Sequence, residues 1–379
     1  MRFHVLGAGP IPSLFAHHLR RATPPSHKIV IIHRKARDAL SVKASGIQVQ
    51  NGATFTTSTD FEHESQDAKN DSPIDSLFIT NKGHSALYAL RRLAHRILPT
   101  STVVLANNAL AVHRLSPLFS DPEQRPHVIL ATSTHAARHT TTGGARRVVH
   151  TFPGRIHYAL VANGSRDVEA GLKSSSSDRR LRLSNIASTT GDTLYPFYRT
   201  LRNTVAVLHL AESLSAHWCS LQEMQSRMRR RLVVDSIIQP LSILMGCRVG
   251  DLFTRTEAVM LARDMCNEAA ALFRAEAEAQ LRAEYPEPDL EMMELSGAAR
   301  VPPALLAENL LRDCLNYAAE RKSEISPMLN AMLYARPHDL TYLTGHLLAS
   351  NAGLVDMPVT NSVYRLARMR VDAPIDRLF

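Results

Sequence analysis

A β-rich run at residues 3–6 leads into Gly7-Ala8-Gly9 and then into a helical pattern at 13–21. This strand, glycine turn and helix most constrain what the chain folds into. Glycine permits a tight turn and close backbone approach, and the helix N-terminus offers N–H donors and the positive end of a dipole to a pyrophosphate. Further β-rich runs at 29–32, 76–80, 103–107, 128–132 and 148–151 alternate with polar or amphipathic stretches. One of these, 84–98, predicts a helix from Leu87, Leu90, Leu93 and Ile97 at three- and four-residue spacing. The alternation predicts βαβ units in a mostly parallel sheet. The polar stretch 60–75 reads as a solvated loop, and 164–185, with its serine run before Asp178-Arg179-Arg180, as a surface insertion.

After about residue 190 helical periodicity takes over, in 230–245, 256–285, 303–320, 339–352 and 362–370. The Ala-rich, Glu-punctuated segment 268–284 predicts a long exposed helix with i,i+4 charge pairs, ended by Tyr285-Pro-Glu-Pro288. The fold class is therefore an α/β Rossmann-type N-terminal domain, drawn at 1–205, followed by an all-α C-terminal domain at 206–379. A chain of 379 residues suits two domains, because single cores stop growing at about 250–300 residues. With 45% hydrophobic and 21% charged residues it buries a large core, which excludes global disorder. No apolar run approaches the roughly 18 residues of a membrane-spanning helix. Cys219, Cys247, Cys266 and Cys314 form no CxxC pair, and the default is a reducing compartment. Cys219, beside Trp218, reads as buried rather than reactive. No signal-peptide apolar region precedes the first strand. His135, His139 and His150 lack a carboxylate or cysteine at ligand spacing, so no metal site is expected.

The glycine motif is altered. Pro12 stands where a third glycine is usual, and Pro10 and Pro12 carry no N–H, so two potential phosphate donors are missing. The second strand ends in His33-Arg34-Lys35 instead of the acidic residue that holds a ribose 2′-hydroxyl. Arg34 suits a 2′-phosphate and hence NADPH, and Lys82 lies where it could reach the same phosphate. The net charge of +9 suits an anionic partner, whether a phosphorylated cofactor, nucleic acid or an acidic membrane surface, and is common in the mitochondrial matrix. Arg227-Met-Arg-Arg-Arg231 is a basic run that reads as a solvated face or, alternatively, as a contact to RNA.

These residues resemble the ketopantoate reductases (2-dehydropantoate 2-reductases). The resemblance runs through Val5-Leu6-Gly7-Ala8-Gly9, Arg34, Lys82 and Val104-Leu-Ala-Asn-Asn-Ala-Leu-Ala111, then Thr134-His-Ala-Ala-Arg138 and Val149-His-Thr-Phe-Pro-Gly154. It continues in Arg231-Leu-Val-Val-Asp-Ser-Ile-Ile-Gln-Pro-Leu241, Ser326-Pro-Met-Leu329, Arg336-Pro-His-Asp-Leu340 and Met357-Pro-Val-Thr-Asn361. It implies a Rossmann domain that binds NADPH through Gly7, Gly9, Arg34, Lys82 and Asn108. It also implies a helical domain, like that of 6-phosphogluconate dehydrogenases, that closes over a 2-keto acid. The family's catalytic lysine falls on Arg231, which can hold a carboxylate but is a poor acid because its pKa lies above about 12. The two substrate-binding asparagines fall on Asp235 and Gln239, on the same helix face as Arg231. Asp235, four residues after Arg231, can pair with it. The family serine falls on Pro327 and the family glutamate on Asp339, while Asn108 keeps its identity in an altered turn. The catalytic set expected is thus Arg231, Asp339 and Asn108, with ordinary ketopantoate reduction impaired. A second reading, shared with some fungal mitochondrial relatives, is a non-catalytic mitochondrial RNA-binding or translation-associated factor on the same fold. Localisation is then mitochondrial, or else cytoplasmic.

Overall fold

The computed structural model describes residues 1–34, 46–66, 70–80, 83–106, 118–119, 121–140, 147–163, 166–174, 181–284 and 301–372. It divides into two units, Met1–Gln225 and Ser226–Phe379. The first therefore reaches some twenty residues past the boundary drawn from sequence.

Unit one contains two sheets. Strands β1 (Arg2–Leu6), β2 (Lys28–His33), β3 (Ile47–Asn51), β4 (Thr54–Ser58), β5 (Phe61–Ser65), β6 (Ile74–Ile79), β7 (Ile97–Ala106), β8 (His127–Ser133), β9 (Ala136–Thr140), β10 (Arg147–Phe152), β11 (Ile156–Val161) and β12 (Ala216–Trp218) are interspersed with helices α1 (Pro10–Ala22), α2 (Gly83–Leu93), α3 (Val168–Ser174), α4 (Leu183–Ile186) and α5 (Tyr195–Leu210). The larger sheet has the order β12-β11-β8-β7-β6-β1-β2-β5 and is parallel except between β8 and β11. The smaller, β4-β3-β10-β9, is mixed.

Helix α1 contacts β1 and β2 of the larger sheet and all four strands of the smaller one. It is consequently buried nearly all round, with Leu14, Phe15, Ala16 and Leu19 in the core and Ser13, His17 and Arg20 buried beside them. A helix in that position must satisfy its polar groups internally. Arg20 does so at the C-terminus: its guanidinium donates to the carbonyls of Thr23, Pro24 and His27 at 2.9, 2.7 and 2.8 Å. We predict that Arg20→Met, which keeps the length and removes the donors, lowers stability by about 3 kcal/mol in urea titration, because three carbonyls lose their partner.

His17 bonds Thr56 Oγ1 and Ser58 Oγ of β4 at 3.0 and 2.9 Å. Beside it, the rings of His18 and His150 lie 6.5 Å apart, and His135 Nδ1 lies 3.0 Å from His150 Nε2. His135 also bonds the Leu214 carbonyl through Nε2 at 3.0 Å and accepts the Gly154 N–H at Nδ1 at 3.0 Å. Those two bonds fix the proton on Nε2 and leave Nδ1 as an acceptor. Gly154 is required there, since a Cβ would fall 2.4 Å from the Thr134 and His135 main chain.

Several expectations are corrected in this unit. Residues 61–65 are not a solvated loop but the edge strand β5, paired in parallel with β2. Glu64, one-tenth exposed, meets Arg96 at 2.9 Å and Arg2 at 3.3 Å, with His4 at 3.8 Å. Burial would raise its pKa, but His4 and Arg96 hold it down at about 2. The helix expected over 84–98 ends at Leu93, a 3-10 turn follows, and Ile97 and Leu98 open β7. The segment 164–185 is more than an insertion, because Val168, Leu172 and Leu181 join the core. Strand pairing also persists beyond residue 190, in β12.

Unit two is helical: α6 (Leu221–Met245, which starts just before the division), α7 (Thr256–Glu284), α8 (Ala307–Glu320), α9 (Pro327–Leu333), α10 (Thr344–Ser350) and α11 (Pro358–Asp372). Its core joins Val233, Ile237, Ile238 and Leu241 of α6 to Met265, Ala269 and Leu272 of α7 and Leu310 and Cys314 of α8. The exposed helix expected over 268–284 is instead partly buried: Ala269, Leu272 and Phe273 lie in the core. Glu268 accepts the Val359 and Thr360 N–H groups at 2.8 Å each, capping α11. Pro240 lies inside α6 and leaves the Ser236 carbonyl without its helical donor. The Thr344 hydroxyl supplies the replacement at 3.1 Å.

Candidate functional site

In unit one the candidate dinucleotide site is local to the β1–α1 junction. Gly7 has φ +89°, a left-handed conformation that favours glycine, and its N–H donates to the Ile32 carbonyl at 2.8 Å. Gly9 is the N-cap of α1 in extended conformation. Among the described residues, a Cβ on it would meet only the Pro12 ring, at 3.5 and 3.8 Å. Packing among the described residues therefore does not demand glycine at 9, and the bare backbone leaves room there for a ligand to approach.

Pro10 and Pro12 occupy the first and third helical positions and the Ser13 N–H returns to Gly9 O at 3.0 Å, so Ile11 is the one donor left in the first turn. The first turn carries no acidic side chain, in keeping with an anion at this end. Arg34 follows β2 at the same end of the sheet, as the pairing of Leu6 with Ile32 requires. It is exposed and makes no ion pair among the described residues. Asn108 and Lys82 lie outside the described residues.

Unit two carries a polar stripe on α6. Arg231 Nε donates to Asp235 Oδ2 at 2.7 Å, and the guanidinium lies 5.1 Å from the centre of the Tyr317 ring of α8. Burial would weaken its charge, but Asp235 and Tyr317 more than offset that, so Arg231 remains a cation at any working pH. The Arg231 side chain is 37% exposed and that of Asp235 15%. Asp235 Oδ1 is buried and has no hydrogen-bond partner among the described residues.

Two turns along, Gln239 is buried and accepts the Met328 N–H at 3.0 Å, tying α6 to the start of α9. Ser326 caps α9 by accepting the Leu329 N–H at 3.1 Å and bonds Ser242 of α6. Pro327 is the first residue of α9, where a missing N–H costs nothing. Asp339 is half-buried before a 3-10 turn, its carbonyl accepting from Tyr342 and Leu343 at 2.8 and 2.9 Å.

The stripe thus brings Arg231 and Asp235 together, while Gln239 is buried and tied to Met328. Sequence reasoning missed Tyr317, whose ring faces Arg231 from a helix 86 positions on, and His139, whose Nε2 bonds the Ala8 carbonyl at 3.1 Å. No local pattern announces either contact.

The basic run lies within α6, not at its start. Arg229 pairs with Glu276 at 2.8 Å, Arg230 with Asp313 through two bonds of 2.7 Å, and Arg231 with Asp235. Arg229, Arg230 and Arg231 thus each have a carboxylate partner inside unit two.

A parallel sheet with a glycine turn at its first βα junction, joined to an all-α unit with a polar helix stripe, defines the two-unit dinucleotide-fold proteins. The family description "Ketopantoate reductase PanE/ApbA" matches residues 3–163, and "Ketopantoate reductase PanE/ApbA C terminal" matches residues 223–371. The chain belongs to the ketopantoate reductase family. Among solved structures it is similar to a D-mandelate dehydrogenase bound to NADH and anilino(oxo)acetate, with 15% identity, TM-score 0.69, and 98% of this chain and 99% of that one covered. It is also similar to a probable 2-dehydropantoate 2-reductase from Bacillus subtilis, at 16% identity, TM-score 0.61 and 98% and 100% coverage. A 2-dehydropantoate 2-reductase from Methylococcus capsulatus matches at 17% identity, TM-score 0.61 and 99% coverage of both chains.

Proposed function

We propose that this protein is a nicotinamide-dinucleotide-dependent reductase of 2-keto acids with an altered catalytic set. The observation that carries this is Arg231: a permanent cation held by Asp235 and Tyr317 at the position of the family lysine. The reduced nicotinamide, when bound, supplies the hydride that turns a 2-keto acid into a 2-hydroxy acid. Gly7 and Gly9 leave the approach to the α1 N-terminus open for the pyrophosphate, and the Ile11 N–H is available to it. Arg231 attracts the substrate carboxylate and stabilises negative charge growing on the keto oxygen. It cannot release a proton at neutral pH, so the proton for that oxygen comes from water, and loss of general-acid help slows turnover by about 10²–10⁴-fold.

Oxidation of NADPH in the presence of 2-dehydropantoate and a panel of other 2-keto acids tests this. Saturable, slow turnover of at least one acid is expected. Tight dinucleotide binding with no turnover on any of them would place the protein in a non-catalytic role.

Arg34, exposed and without an ion pair among the described residues at the end of β2, supports NADPH as the preferred form. Arg34→Ala is expected to weaken NADPH binding about tenfold, the loss of one charge-assisted contact, while leaving NADH binding unchanged. Equal affinity of the unaltered protein for the two cofactors would refute the preference.

A further inference from the structure

The Ala8–Gly9 peptide sits at the centre of the glycine turn, and its carbonyl is taken. His139, on β9 and 131 positions away in sequence, reaches across with Nε2 to within 3.1 Å of Ala8 O. A carbonyl oxygen only accepts, so the imidazole is the donor and carries its proton on Nε2. The described chain contains no cis peptide, and in a trans peptide the C=O and the following N–H point in opposite directions. Anchoring the Ala8 carbonyl toward β9 therefore turns the Gly9 N–H away from β9. With Pro10 and Pro12 lacking N–H and Ser13 bonded to Gly9 O, Gly9 and Ile11 carry the backbone donors that remain here. The extended conformation of Gly9 does not itself fix that peptide, since φ −67° and ψ 175° are open to any residue.

We propose that His139 is a positioning residue for the dinucleotide pyrophosphate, holding the Ala8–Gly9 peptide so that the Gly9 N–H meets the phosphate oxygens. The inference rests on the dinucleotide-binding reading above. It explains how a glycine turn with two prolines keeps an oriented donor: a side chain from the smaller sheet supplies the constraint. His139 touches the turn and not the adenosine end of the cofactor. Its loss therefore acts equally on NADPH and NADH, whereas loss of Arg34 acts on NADPH alone.

The test is titration of the full chain with NADPH and with NADH, read by calorimetry, for the unaltered protein, His139→Ala and His139→Gln. His139→Ala should weaken both cofactors about tenfold, and His139→Gln, which keeps an amide donor, should recover most of the loss. Independently of any variant, selective labelling of Ala8 and Gly9 should show the Gly9 amide proton shifting downfield when NADPH is added to the unaltered protein. Unchanged affinities in His139→Ala, or a Gly9 amide that does not move while NADPH binds, overturns the role of His139 and leaves the dinucleotide reading standing. Failure of the unaltered protein to bind either cofactor overturns both.

Discussion

Arg231→Lys combined with Asp235→Asn should raise kcat/KM for 2-dehydropantoate by about 10²-fold, measured as reduced-nicotinamide absorbance in steady state. The double change restores a group that can give up a proton and removes a carboxylate that repels the substrate carboxylate. It also removes an ion pair of 2.7 Å whose second oxygen, Asp235 Oδ1, is buried without a donor among the described residues. Asparagine at 235 carries no charge to leave unmatched, so the fold should tolerate the change. Arg230–Asp313 and Gln239–Met328 still tie α6 to α8 and α9. The single change Arg231→Lys should gain less, because Asp235 would pair with the new ammonium and hold its proton. No gain in the double variant, with dinucleotide affinity unchanged, would move the defect to Pro327 or Asp339.

Acidification should unfold unit one well before unit two. Burial and the nearby Arg21 hold His17 at a pKa of about 4, and burial and the nearby His135 hold His150 at about 4. His18 is pushed down to about 3 by burial, by His17, His150 and His135, and by Arg21, while burial lowers His135. In the unfolded chain each imidazole titrates near 6.5. Between those values the unfolded state binds more protons than the folded one. Stability is therefore fully present above pH 6.5 and is lost as the pH falls toward 4. At pH 5 the loss is about 2 kcal/mol for each of His17 and His150, a large share of a domain's stability, and the other two act in the same direction.

Hydrogen exchange at pH 7.5 and 5.0, corrected for intrinsic rates, should show protection in α1 and β10 collapsing while α6 keeps its own. His17→Gln, which can still bond Thr56 and Ser58, should flatten the response by one imidazole's share. Equal protection of α1 at both pH values would contradict the assignment.

The features legible in sequence were those set by neighbours along the chain. The glycine turn is written in consecutive residues, and the Arg231–Asp235 pair follows from four-residue spacing on a helix. The alternation of Leu, Ile and Val runs with polar stretches carried the parallel sheet. What escaped was polar sequence buried by partners distant in the chain. β5 has one strongly apolar residue, Phe61, and pairs through Glu64 with Arg96 and Arg2. Strands β3 and β4 alternate Ile47 and Val49 with glutamines and then run through threonines, and the hydrophobic signal is too thin to separate them from a loop. The face of α6 that carries Gln239 was legible, and its bond to Met328, 89 positions on, was not.

The charged edge of the larger sheet has a consequence for how the chain behaves before and between folding events. A strand at a sheet edge offers unpaired backbone groups to any extended segment that passes. In β5 the register is specified by charge where most strands use oil: slipping it by one residue would take the Glu64 carboxylate off Arg96 and turn it toward the opposite face. Each misregistered or intermolecular pairing would strand the nearly buried guanidinium of Arg96 without its anion, a heavier penalty than a misplaced methyl group. The same residues that made this segment look like a loop thus act as a proofreading device, admitting one partner in one alignment and leaving foreign strands nothing to gain.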